Sequence, residues 1–176
     1  MTLNAYFAAA GEHQQLAWMS GSTLEVLVDS AVSNGQVLIM RSDTARGNGV
    51  PVHVHQREDE IFLLLNGALT VWAGDQRREL SGGGVAVLPK GVPHTYFVTS
   101  QTATILEVIA PGGLEQAFRE AGWDLRTPPP DGWACTPDAV ATAMAKAGCT
   151  ILGPPPSSAR DNPIATQSQS GPRPAS

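Results

Sequence analysis

Two short stretches of the chain concentrate the side chains able to do chemistry. The first runs from Gly47 through His53, Val54 and His55 to Glu60 and Gly67. His53 and His55 lie two positions apart, so on a strand both imidazoles leave the same face and can converge on one point. Gln56 to Asp59 reads as a polar turn, after which Glu60 opens another strand and can return a carboxylate to that point. Gly67 then permits a tight hairpin. The second stretch contains Gly83, Pro89, Lys90, Gly91 and His94. Proline and glycine shape a turn, and His94 begins the strand that leaves it, so a third imidazole can enter from another side. Three imidazoles and one carboxylate suit one divalent transition metal ion (Fe, Mn, Ni, Co, Cu or Zn) and leave one or two positions open for a small-molecule substrate or O2. His53, His55, Glu60 and His94 are the predicted metal ligands.

Such a cluster needs strands to hold it, and the chain around it has their pattern. From Leu16 to Pro111, short β-branched and aromatic runs are punctuated by Gly, Asn, Asp and Pro at fairly even intervals, as in an antiparallel sandwich or barrel. The predicted strands are Leu16 to Ser20, Thr23 to Asp29, Gln36 to Ser42, Val52 to His55, Ile61 to Trp72, Val85 to Leu88, His94 to Val98 and Ala103 to Ile109. Ile61 to Leu65 and Ile105 to Ile109 are apolar on both parities but for one residue, which implies cover on both faces, by another subunit or by the chain's own helices. After Pro111 the period changes. Leu114, Ala117, Phe118 and Ala121 recur at helical spacing up to Gly122. A second helix is capped by Thr136, carries Pro137 at its first position and ends at Gly148. The expected division is an N-terminal segment 1–15, a barrel 16–111, a helical extension 112–153 and a mobile tail 154–176 rich in Pro, Ser and Gln that carries no chemistry.

Composition narrows the partners. The chain has 176 residues, enough for one domain with a real core, and a formal net charge of -5. That acidic balance with no basic stripe argues against nucleic acid and anionic membranes. No apolar run approaches the roughly 20 residues of a membrane helix. Met1 to Ala10 contains no Lys or Arg and lacks the layout of a secretory signal, so a cytoplasmic location is expected. Cys135 and Cys149 read as ordinary reduced thiols.

The two stretches resemble the paired motifs of the cupin superfamily, G-x5-H-x-H-x4-E-x6-G and G-x5-P-x-G-x2-H-x3-N, with Val98 in place of the final Asn. The resemblance implies an all-β fold, the cupin double-stranded β-helix (a jelly-roll barrel) with C-terminal helices here, and one bound metal. The missing Asn bears on hydrogen bonding around the ligands, not on the metal itself. A looser similarity, carried by the strands ahead of the first motif and by Pro111 to Glu115 opening a helix after the barrel, is to quercetin 2,3-dioxygenase-like cupins. It implies a metal-dependent dioxygenase acting on an aromatic or enolic (flavonol- or polyketide-like) small molecule, with Glu60 both ligand and catalytic base. A non-redox cyclase or isomerase, or a small-molecule-binding cupin, remains the alternative. A homodimer through the outer barrel strands is expected.

Strand alternation sends Phe62 and Leu64 inward with Glu60, and Tyr96 and Val98 inward with His94, as candidate pocket walls. For Phe62 and Leu64 the plainer reading is barrel filling. Tyr96 carries a phenol that needs a partner. Arg41 reads as an exposed strand-end charge, Glu58 and Asp59 as solvated turn carboxylates, and His13 as a surface residue. The four tryptophans read as packing groups.

Overall fold

The computed structural model describes residues 5–164. Among them, twelve strands form two antiparallel sheets. In chain order the strands are β1 (Gln14–Ala17), β2 (Thr23–Val28), β3 (Leu38–Ala45), β4 (Val52–His55), β5 (Asp59–Asn66), β6 (Ala68–Ala73), β7 (Gln76–Ser81), β8 (Val85–Leu88), β9 (His94–Val98), β10 (Thr102–Ala110), β11 (Trp123–Asp124) and β12 (Cys149–Gly153). The helices are α1 (Ser30–Ser33), α2 (Glu115–Ala121) and α3 (Pro137–Lys146). One sheet has the order β11-β1-β2-β3-β10-β5-β8 and the other β12-β4-β9-β6-β7. Two antiparallel sheets whose strands alternate between them are the jelly-roll arrangement expected from the sequence.

The alternation is visible in burial. Along β3 and β10, buried residues recur at every second position, because one face looks into the sandwich and the other out. Two core clusters result. One gathers Leu16, Leu24, Leu38, Met40 and Ile109 beneath α2 and α3. The other gathers Phe62, Leu64, Leu69, Val98 and Ile105 further along the sandwich. α3 starts as the sequence requires: the Thr136 side chain accepts from Ala139 N, and Pro137 occupies the first turn, where its missing N–H costs nothing.

The structure departs from the sequence reading in five places. Ile61 to Trp72 is not one strand, and Gly67 does not close a hairpin: β5 lies in one sheet and β6 in the other, so Gly67 is the corner where the chain changes sheets. Its φ of 90° and the approach of Thr102 and Ala103, whose Cα would sit 2.9 Å from an added Cβ, leave room for glycine alone. The charged run Gln76–Ser81, which has no apolar alternation, is nevertheless a strand. It is an edge strand paired only with β6, where charged side chains suit the exposed position.

Residues beyond 111 are not helical alone: β11 pairs with β1, and β12 pairs with β4, joining opposite sheets at their margins. Residues 154–164 are anchored to the barrel. The carbonyl of Asp161 accepts from Trp72 Nε1 at 3.1 Å, that of Ala159 accepts from Arg77, and the Asp161 carboxylate accepts from Ser157 and Ser158. These contacts pair polar groups, which a search for apolar residues to bury overlooks; positions 165–176 of the expected tail lie outside the described residues. Covering of the apolar β5 run by the chain's own helices does not hold for Ile61 and Leu65, which with Val85 and Val87 form an exposed outer strip on β5 and β8.

Gly67→Ala is expected to destabilise the fold by on the order of 3 kcal/mol, combining a strained positive φ with a clash against backbone that cannot move aside. Urea denaturation of the variant against the parent measures it.

Candidate metal centre

The four predicted ligands arrive from both sheets. β4 carries His53 and His55, and β9 carries His94 directly opposite His53. β5 carries Glu60 across from the other sheet. One potential ligand atom from each lies within 4.8 Å of those of the other three, which is the spacing of a group that can share one ion. Glu60 Oε2 stands 3.0 Å from His94 Nε2 and 3.3 Å from His55 Nε2. The loop before His94 is tied down where it matters: Gly91, at φ 78°, donates its N–H to the His55 carbonyl at 2.8 Å, locking the second motif onto the first.

The imidazoles are oriented from behind. His53 Nδ1 donates to the Pro51 carbonyl at 2.8 Å, and His94 Nδ1 to the Val92 carbonyl at 2.9 Å. A carbonyl only accepts, so in both rings Nδ1 carries a proton, which makes Nε2, facing the centre, the nitrogen that a metal ion would take. His55 differs. Its Nδ1 faces the Glu58 carboxylate, with Oε2 at 3.8 Å, and both His55 nitrogens and Glu58 Oε2 are buried without a hydrogen bond. Buried polar atoms rarely stay unpaired. A cation among the four side chains would take up His55 Nε2 and draw Nδ1–H toward Glu58, so this donor set fits a metal ion. Glu58 is therefore not a solvated turn residue: the turn that reverses the chain after His55 folds its side chain inward, where it is 2% exposed. Asp59 does face solvent, accepting from Lys90 N.

Electrostatics follow the same geometry. Burial, reinforced by the neighbouring His94, drives the His53 pKa down to about 3, so this ring is neutral at any ordinary pH. Burial also pulls His55 down, but the Cys149 thiol and Glu60 carboxylate beside it outweigh that and push it up to about 10. Burial works to raise Glu60, yet the His55 and His94 imidazoles beside it prevail and hold its carboxyl below the usual carboxylate range.

Next to this cluster lies a cavity of about 70 Å³ lined by His53, His55 and Glu60 and walled mainly by apolar groups, among them Trp18, Met19, Phe118, Val140 and Met144. Phe62 and Tyr96 line it, their rings edge to face at 5.6 Å. Burial, with the Glu107 and Glu60 carboxylates adding to it, raises the Tyr96 phenol. Leu64 and Val98 point inward as expected but belong to the core and do not line the cavity. Arg41 is half-exposed and pairs with Glu25 and Asp43 on the outside. His13 is more buried than a surface residue, held against Glu25 at 3.6 Å. Three cavity residues had no signal in the sequence. Glu107 lies on an apolar strand, Cys149 becomes His55's cross-strand neighbour, and Met144 reads only as part of a helix stripe.

With the geometry in place, comparison with known proteins is direct. Residues 40–110 match the Cupin domain family, a span that includes all four candidate ligands. This stretch is a cupin domain. The cupin chain is 28% identical over 118 residues to a quercetin 2,3-dioxygenase from Bacillus subtilis (strain 168), covering 66% of this chain and 34% of that enzyme. It is 34% identical over 79 residues to a quercetin 2,3-dioxygenase from Aspergillus japonicus, covering 42% and 23% respectively. The cupin thus matches about a third or less of the length of these two relatives. Among solved structures, KdgF from Halomonas sp. superposes with a TM-score of 0.57 at 20% identity, covering 62% of this chain and 96% of its own. An RmlC-like cupin from Shewanella frigidimarina gives 0.55 at 15% identity, covering 64% and 96%. At such identities the structures speak for the fold alone.

Two outcomes are expected. Glu58→Gln, which replaces the carboxylate behind His55 with a neutral amide, weakens metal affinity by about tenfold or more, measured by competition with a fluorescent chelator; equal affinities would remove Glu58 from the centre. In chelator-stripped protein the His55 proton stabilises the fold fully below its unfolded pKa near 6.5, and that contribution fades as pH rises toward about 10. Metal uptake must expel the same proton, so affinity climbs over this interval. Thermal midpoints of stripped protein and metal affinity, both followed against pH, should move in opposite directions.

Proposed function

We propose that this chain is a metal-dependent cupin dioxygenase acting on an aromatic or enolic small molecule, with His53, His55, Glu60 and His94 as the metal ligands. The observation that carries the reading is a three-histidine, one-carboxylate cluster opening onto an apolar cavity. The quercetin 2,3-dioxygenase names of two relatives support the oxidative choice. A divalent metal at these residues would supply Lewis-acid or oxygen-activating chemistry.

The chain's own residues supply the rest. An imidazole would spend its only lone pair on a metal, whereas the Glu60 carboxylate has a second basic oxygen; it lines the cavity, so it can take the proton of a substrate hydroxyl as that oxygen approaches the centre. Trp18, Phe62, Phe118 and Val140 exclude water from the reacting group and offer flat and branched surfaces to an aromatic or enolic body. Size limits what enters. A cavity of about 150 Å³ is known to hold benzene, and this one measures about 70 Å³. Small acyclic enols fit best in this conformation; a single substituted ring already requires the wall to yield, most readily at Met19 and Met144 with their flexible unbranched side chains, and a multi-ring flavonol requires more.

A second reading is a non-redox cyclase or isomerase. A specific observation favours it: the cavity holds two carboxyls of opposite tendency, Glu60 held low and Glu107 raised to about 8 by burial and by the Glu60 charge, a pairing suited to proton transfer.

Metal analysis followed by oxygen uptake with catechols, flavonols and polyketide enols tests the proposal. Turnover is expected to require both metal and oxygen, and Glu60→Gln is expected to slow it by at least about a hundredfold. Equal turnover under anaerobic conditions sinks the dioxygenase and leaves the isomerase. Full activity of the Glu60→Gln, His94→Ala double variant at unchanged metal content sinks the ligand assignment.

A further inference from the structure

Glu107 is a buried carboxyl for which the dioxygenase reading has no use. It lies on β10 between β5 and β3, opposite Phe62 on one side and Met40 on the other. Ile109 of the same strand faces Glu60, so Glu107 is Glu60's diagonal neighbour on the inner face, roughly 7–8 Å away along the sheet. It is 7% exposed and lines the same cavity as His53, His55 and Glu60. Its Oε1 accepts from Ser42 Oγ at 2.5 Å, and no lysine or arginine is among the groups that perturb it.

Packing does not account for a carboxyl here. An apolar side chain would fill the position with no desolvation penalty, as Ile105 and Ile109 do on the same strand. Nor does Glu107 stand alone. Ser42 and Thr44 of β3 and Ser22 continue a polar row across the cavity wall, with Ser22 Oγ donating to Thr44 Oγ1 at 3.0 Å. Groups of this kind, set in an otherwise apolar wall beside a reactive centre, are how a pocket fixes the orientation of a ligand.

We propose that Glu107, held by Ser42, is a recognition site for an oxygen of the bound ligand remote from the metal. The ligand class that satisfies both ends carries a hydroxy-ketone or enol–carbonyl pair for the centre and a further hydroxyl or carbonyl for Glu107. The proposal rests on the metal-centre reading for where the first pair sits. Burial favours the protonated acid at Glu107, so with Oε1 occupied by the Ser42 hydroxyl its own O–H is available to donate to a ligand oxygen.

Kojic acid and allomaltol test this. They share one ring and one metal-chelating hydroxy-ketone, and differ only in a hydroxymethyl against a methyl group. Full-length protein is loaded with cobalt(II), cobalt content is measured, and binding of each probe is followed by the visible cobalt spectrum and by calorimetry. Wild type is expected to bind kojic acid about three- to tenfold more tightly than allomaltol, the worth of one hydrogen bond. Glu107→Leu abolishes the preference by weakening kojic acid alone, at unchanged cobalt content. Glu107→Gln, which keeps a donor and an acceptor, retains most of it. Glu107→Ala is read in the same way if the leucine variant does not fold.

No preference in wild type, no binding of either probe to the cobalt-loaded protein, or an equal loss of both probes in the leucine or alanine variant overturns the recognition site while leaving the metal reading intact. A protein that takes up no cobalt overturns the metal reading, and this proposal with it.

Discussion

Everything in this protein depends on bringing three imidazoles and a carboxylate into an apolar interior. Each carries a desolvation penalty there, and the arrangement is sustainable only because every group answers another. Glu60 sits within reach of two rings, two rings are anchored by carbonyls two residues upstream, and the third is backed by Glu58. The sandwich is what makes the convergence possible. His53 and His94 are opposed within one sheet, while Glu60 crosses from the other, so the centre sits where the two sheets face each other.

The remainder of the chain closes that gap on one side. β12 pairs along β4, bringing Cys149 beside His55. α2 and α3 lay Phe118, Val140 and Met144 over the space in front of the ligands. The C-terminal region is thus part of the wall of the site, which explains why the cavity is small and mostly apolar. The residues beyond it, up to 164, run back over β6 and β7 and are held by backbone carbonyls that accept from Trp72 and Arg77.

The clustering of the four candidate ligands was legible because its logic is local. A histidine pair two apart on a strand shares a face in any sheet, and the turns before Glu60 and His94 are marked by their own residue types. The missed features are non-local. Gln76–Ser81 forms a strand because β6 offers it a partner, not because of its own pattern. Glu58 appeared solvated because a charged turn residue usually is; its burial is decided by where the His55 ring lies.

By itself the sequence determined the class of fold, the four candidate ligands and the helices after the barrel, since each is written in spacing over a few residues. Tertiary structure decided which strands lie side by side, and with that the cavity. It placed Gly67 at a change of sheet, Cys149 against His55 and Glu107 next but one to Glu60 across a strand pair. Those neighbours come from parts of the chain far apart in sequence, and only the pairing of strands brings them together.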